Sequence, residues 1–441
     1  GSRGQDKVSE NDRLHSDPPA QNFRYISRSP WPKLFVMSEI GEIVWLDLLA
    51  GTFIVVAILV RSWFTRIGVP SLVGFLVLGF LLRLANDHWS FLSQQGFLGI
   101  DFLASIGVFV LLFRVGLESD LQGLLKKLPQ ATPIWIGNVV LSGIPAYLVS
   151  FYLLDLANIP SLFIAAALTA TSVAVSAEVW REANALGSAN GETFVDVAEL
   201  DDLSGVALMA LLLGVAPVLR NGDDAASLAA VAMASIILML KAGGFVALLY
   251  LVARYGEHYI SRTLKKTGAP DSILFIAGVG LLISALASVF GFSMAIGGFF
   301  AGVIFGRDPD AVKLETSFLP LHALFAPFFF IAIGLRIDPG SLASALSLGG
   351  VLLVVAILGK VIGAGWPALM TTGYAGAALI GISMVPRAEI AMVIAQQGSD
   401  LGEWAMPAEV FSSLAMISVV TCILSPLGIR WIIAKFPQSL E

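Results

Sequence analysis

Two adjacent carboxylates, Asp201 and Asp202, lie about nine residues into an otherwise apolar run at 193–216, which also carries Asp196 and Glu199. A charge at the centre of a bilayer costs at least about 2.5 to 3.5 kcal/mol, so acids there mark an ion or proton pathway, or a partner of opposite sign. Neighbours on a helix point about 100° apart, so the pair cannot form one chelating face. Each must look at different surroundings: one is free to neutralise a cation on another helix while the other faces a water-filled cavity. The alternative is that the helix begins later and leaves the acids in a loop, with 206–215 as its apolar start.

Four basic residues also fall inside apolar runs: Arg114, Lys241, Lys360 and Arg387. Lys360 is central in VLLVVAILGKVIGAG, too deep to snorkel to an interface. A buried ammonium pairs with a carboxylate or loses its proton, and Asp201 or Asp202 is the partner on offer. Arg387 and Glu389 follow Pro386, which lacks a backbone donor and interrupts its helix. Broken backbone at membrane depth is tolerated only where it is buried in protein or lines a cavity. The equivalent place in the first half is LTATSVAVSAE, where Thr169, Thr171 and Ser172 either flank a second break or bond back to the preceding turn. Lys241, beside Gly243 and Gly244, marks a split in its helix. Arg114 snorkels or pairs with Glu118 one turn on, and neither cation has an assigned role.

The elements that must position these groups follow from composition. Of 441 residues 57% are hydrophobic and only 13% charged, against roughly a quarter charged in a soluble domain. Lipid is therefore the solvent for most of the chain. Runs of roughly 18 to 25 apolar residues, enough to cross a ~30 Å hydrocarbon core, recur thirteen times. They fall near 43–60, 68–84, 99–117, 131–154, 160–180, 193–216, 225–254, 271–289, 292–306, 319–336, 349–369, 373–397 and 408–432, after a polar tail at 1–38 that is expected to be disordered. Breaks after odd-numbered runs, with the C-terminal end, hold thirteen Lys and Arg, and breaks after even-numbered runs hold three. Basic residues collect in cytoplasmic loops, so the N-terminus is expected outside and the C-terminus in the cytoplasm.

A repeat runs through these spans. LLFRVGLESDLQGL (111–124) aligns with FFIAIGLRIDPGSL (329–342), placing Gly116, Leu117 and Asp120 on Gly334, Leu335 and Asp338, while Gly74 and Gly79 match Gly297 and Gly302. Each match is seven spans apart, and an odd separation points matched helices in opposite directions, the signature of inverted repeats with 225–254 as linker. The fold expected is an all-α polytopic membrane protein of about 13 transmembrane helices, in two inverted six-helix repeats. Several functions are excluded or disfavoured. The lone Cys422 forms no disulfide framework, the four histidines have no metal-ligand spacing, and no nucleotide-binding glycine motif occurs. The net charge of −6, without a basic tract, argues against a nucleic-acid partner.

GVPSLVGFLVLGFLL, the Phe113-to-Glu118 FxxGLE, Asp201-Asp202, the lone Lys360 after Gly359 and Pro386-Arg387-Ala388-Glu389 together resemble the Kef/Nap-type monovalent cation:proton antiporters, over about 43–432. The resemblance implies a dimerisation domain (43–117 and 271–336), a mobile core (131–216 and 349–432) with broken crossing helices, a linker at 225–254, and a homodimer in lipid. It further implies that Asp202 binds the cation in exchange for protons, that Asp201 pairs with Lys360, and that Thr171, Ser172 and Glu389 shape the cavity, with Glu199 and Arg387 beside it. Asp-Asp where Kef-type potassium transporters carry Gln-Asp, and an end soon after the last span, favour the subtype exchanging Na+ or Li+ for H+, electrogenic and without a cofactor. A bacterial inner membrane is the expected location, an organellar one the alternative. Potassium/proton exchange stands as runner-up. An intramembrane aspartyl protease needs two acids converging from separate helices, which adjacency and Lys360 oppose; a passive channel fits inverted repeats and broken helices less well than alternating access.

Overall fold

In lipid every backbone N–H and C=O must be satisfied inside the protein, which each apolar run achieves by becoming a helix. The computed structural model describes residues 39–118, 121–221, 272–306 and 311–438, with scattered positions between 232 and 248, and no strand occurs among them. The chain divides into two compact units, Gly1–Trp45 and Leu46–Glu441. The expected tail, Asp120 and much of the 225–254 helix lie outside the described residues.

The elements are α1 (Glu39–Arg66), α2 (Ser71–Trp89), α3 (Gln94–Glu118), α4 (Leu121–Leu148, continued by a π-helical turn Val149–Leu153), α5 (Asn158–Thr169), α6 (Val173–Glu182) and α7 (Ala189–Asn221). A short apolar α8 (Ser235–Phe245) follows. Then come α9 (Ser272–Val289), α10 (Met294–Phe305), α11 (Ala311–Arg336), α12 (Leu342–Ser383), α13 (Glu389–Leu401) and α14 (Ala408–Lys435). Among the described residues eight stretches are long and apolar enough to cross a membrane. α10, with 12 residues, is about 18 Å long and falls short of the ~30 Å core. α12 merges the eleventh expected span with the start of the twelfth, and its one non-helical residue is Gly373, whose φ of 68° and ψ of −178° turn the chain. No atom crowds that glycine, so the positive φ alone demands it.

Between helices in lipid there is little hydrophobic drive, so association depends on close backbone approach through small residues. In one packed group Gly79 of α2 abuts Ile331 and Gly334 of α11, and Gly116 of α3 abuts Phe299 and Gly302 of α10. A Cβ at any of these four glycines would strike backbone atoms. Exchanging the two halves by the sequence register turns the 79–334 contact into the 302–116 contact, and both are present. A second group joins α4 to α12, where Gly137 meets Gly363, and adds α5, α7, α13 and α14. The groups touch where α13 meets α3 and α14 meets α2.

Candidate functional site

Both expected interruptions are present, and they cross. Between α5 and α6 the chain is extended at Ala170 and Ser172; between α12 and α13 it is non-helical at Ala388, two residues after Pro386. At the crossing the Ser172 amide donates to the Pro386 carbonyl at 2.7 Å, Thr171 Oγ1 donates to the Met384 carbonyl at 3.1 Å, and Ser176 Oγ donates to the Ser383 carbonyl at 2.6 Å. Trp180 Nε1 closes the set with a 2.9 Å bond to Ser383 Oγ. Thr169 alone of the three crowded hydroxyl residues bonds back to its own turn, at the Ala166 carbonyl. Each broken segment thus supplies polar partners that the other lost, which is how irregular backbone survives at this depth.

The four half-helix ends sort the charges. The last carbonyls of α5 carry the negative end of its dipole and accept cations: Thr169 O takes Lys360 Nζ, and Leu168 O takes Arg387 at 2.9 Å. Glu389 stands in the first turn of α13, where the dipole end is positive, and accepts Ser172 Oγ at 2.7 Å from the start of α6. Arg387, expected at the cavity, is instead 1% exposed. Its guanidinium reaches the carbonyls of Val385, Leu168 and Ala356 (the last at 3.0 Å), so it acts as a plug for free carbonyls around the break. The reason is geometric: Pro386 frees backbone acceptors, and a five-donor side chain one residue on is in reach of them.

The carboxylates belong to α7, which runs unbroken from Ala189 and excludes the loop alternative. One turn on, Gly205 fits against Ala170 and Ile390, so the acids sit beside the crossing. Asp201 is fully buried and its Oδ2 lies 3.1 Å from Lys360 Nζ, likewise fully buried. Its other oxygen accepts Asn138 Nδ2 from α4 at 2.7 Å. Asp202 points elsewhere, is only partly buried, and among the described residues receives no hydrogen bond. Glu389, Glu118 and Glu199 lie within its electrostatic reach. A buried neutral pair therefore flanks a partly buried carboxylate with further acids around it. A carboxylate in such a setting can hold either a proton or a small dehydrated cation, one excluding the other.

Arg114 donates to Glu118 at 2.6 Å, its i+4 neighbour, while Lys241 is exposed with its Nζ near Gly291. Asn138 was not singled out in the sequence, although it is the one amide in the apolar text PIWIGNVVL and could have been flagged for that. Nothing in the sequence tied Trp180 and Ser383 to the crossing, since they are 203 positions apart.

Residues 52–435 match the family described as sodium/hydrogen exchanger, transmembrane. Among curated proteins the chain is 30% identical over 340 residues to the high-affinity Na(+)/H(+) antiporter NhaS3 of Synechocystis, covering 75% of this chain and 71% of that one. It is 27% identical over 379 residues to the Na(+)/H(+)-K(+) antiporter GerN of Bacillus cereus, covering 85% and 93%. Its fold is similar to the solved structure of the sodium proton antiporter MjNhaP1 of Methanocaldococcus jannaschii, with a TM-score of 0.65 at 15% identity over 89% of this chain and 99% of that one.

Proposed function

The chain belongs to the transmembrane sodium/hydrogen exchanger family, and from that premise we propose that it exchanges Na+ or Li+ for H+ by alternating access, with Asp202 as the shared site. It is a multi-pass integral membrane protein of a transporter family. The observation that carries the reading is the division of labour in α7: Asp201 is neutralised by buried Lys360, and Asp202 beside it stays partly open.

Coupling needs only competition. A carboxylate that holds either a proton or a cation cannot carry both, so each gradient drives the other. Lys360 makes the exchange electrogenic: when a cation neutralises the acids, the ammonium releases its proton, and more than one proton moves per cation. The net charge then responds to voltage, worth about 2.3 kcal/mol per charge per 100 mV. The glycine-packed α2–α3–α10–α11 group serves as the static dimerisation scaffold, and the α4–α7 and α12–α14 group as the moving core, with the N-terminus outside and a bacterial inner membrane as location. Potassium/proton exchange is a second reading, favoured by the potassium in the name of GerN.

Proteoliposomes carrying the protein, tested with sodium, lithium and potassium with and without a clamped potential, decide among these. Proton movement driven by sodium and lithium and increased by voltage is expected. Equal rates with potassium would replace the cation, electroneutral flux would remove the role of Lys360, and uncoupled conductance would make the protein a channel.

A further inference from the structure

The two packed groups are tied by charge at one end of the molecule. Arg336, the last residue of α11, donates from one guanidinium nitrogen to Asp400 of α13 at 2.6 Å and from the other to Asp101 of α3 at 3.4 Å. Asp101 and Arg336 belong to the glycine-packed group, Asp400 to the group that holds the crossing. The bridge is therefore one of few links between bodies that must move apart if the site is to open at this end. Arg336 is 27% exposed and Asp400 45%, so the bond can be made and broken in water.

The opposite end differs. The register that pairs Gly116 with Gly334 also pairs Glu118 with Arg336, so the equivalent scaffold position carries the opposite charge. There Glu118 is held by Arg114 of its own helix at 2.6 Å, and it lies within electrostatic reach of Asp202. Among the described residues the ion pair that joins the two groups lies at the Arg336 end, whereas at the other end the Arg430 side chain of α14 lies against Gly68 and Glu118 is one of the acids around Asp202.

We propose that Arg336 is a positioning residue of the transport cycle: by clamping Asp400 to the α3–α11 pair it holds the end at Arg336 shut, so that Asp202 is offered to the Glu118 end. With the orientation read from the basic loops, the clamped end is external and the site faces the cytoplasm. This inference rests on the alternating-access reading, and the clamp must open once per cycle. Exposed ion pairs are weak, which suits a switch between nearly balanced states.

Arg336→Gln, assayed in vesicles of both orientations, is expected to lower the apparent KM for sodium presented at the Arg336 face roughly two- to fivefold and to raise it at the other face, the range a half-exposed pair allows. A merely structural loss would move both KM values the same way or lower only the maximal rate, and either result overturns the proposal. Arg336→Cys with Asp400→Cys, bridged by a reducible bifunctional thiol reagent, should stop exchange until reductant is added; buried Cys422 leaves the background silent. Exchange continuing through the bridge would overturn the clamp. A Gln397→Cys reporter, one turn before Asp400, reads the clamp without transport: an impermeant maleimide should label it faster when Arg336→Gln is added, and an unchanged rate refutes the clamp. If the wild type exchanges nothing while this labelling still responds, the functional reading fails and the clamp stands.

Discussion

Asp201→Asn tests the buried pair most directly. Removing one member of a buried ion pair costs about 3 to 5 kcal/mol, because the remaining charge stays buried without its partner. Here the stranded group is Lys360, fully enclosed and left with the Thr169 carbonyl. The expected loss is therefore about 3 to 5 kcal/mol. The assay is thermal unfolding in detergent, in sodium-free buffer, for Asp201→Asn, Lys360→Met and the double variant. The single variants should melt several degrees lower, and the double variant should recover much of the loss because no buried charge is left alone. A coupling of about 1 to 3 kcal/mol is expected across the cycle. Unchanged melting of Asp201→Asn, or additive losses in the double variant, would refute the pair as a stabilising contact.

Asp202→Asn should abolish sodium-driven proton movement in proteoliposomes with stability unchanged within about 1 kcal/mol, since among the described residues this carboxylate has no hydrogen bond to lose; exchange persisting near wild-type rates would move the site to Glu389 or Glu199. Lys360→Gln should leave any residual exchange insensitive to a potassium-diffusion potential, and a wild-type voltage response in that variant would make Lys360 a bystander. Gly302→Val should lose about 1 to 3 kcal/mol or fail to accumulate, because its Cβ would collide with the Phe113 carbonyl and lie 2.9 Å from Gly116 Cα; wild-type melting and yield would show that the α3–α10 crossing is not packed as described. Ser383→Ala should cost about 1 to 3 kcal/mol in the same assay by orphaning Trp180 Nε1, with equal stability as the contrary outcome.

What the sequence by itself determined is whatever depends on a contrast between a residue and its apolar surroundings. A chain with 13% charged residues has to be helical in lipid, since no other local structure satisfies its own backbone. Asp201, Asp202 and Lys360 stand out because each is a charge in apolar text, and Pro386 because a helix cannot pass through it unbroken. The glycine register at 79, 116, 302 and 334 was visible as a repeated pattern, although not which glycine faces which. Residue types alone leave Lys360 either aspartate, and the family resemblance implies Asp201; the tertiary structure shows the contact itself, with Asp201 and not Asp202 on Lys360. Adjacency says the two point about 100° apart, but the rotation of α7 comes from its packing on α4, α5 and α13. Likewise Arg387 was legible as a buried charge, while its task of holding three carbonyls depends on acceptors from α5 and α12 as well as its own segment. The Arg336 bridge lies beyond sequence reading for the same reason: charges at span ends are common, and only the meeting of α3, α11 and α13 at one end of the molecule joins these three.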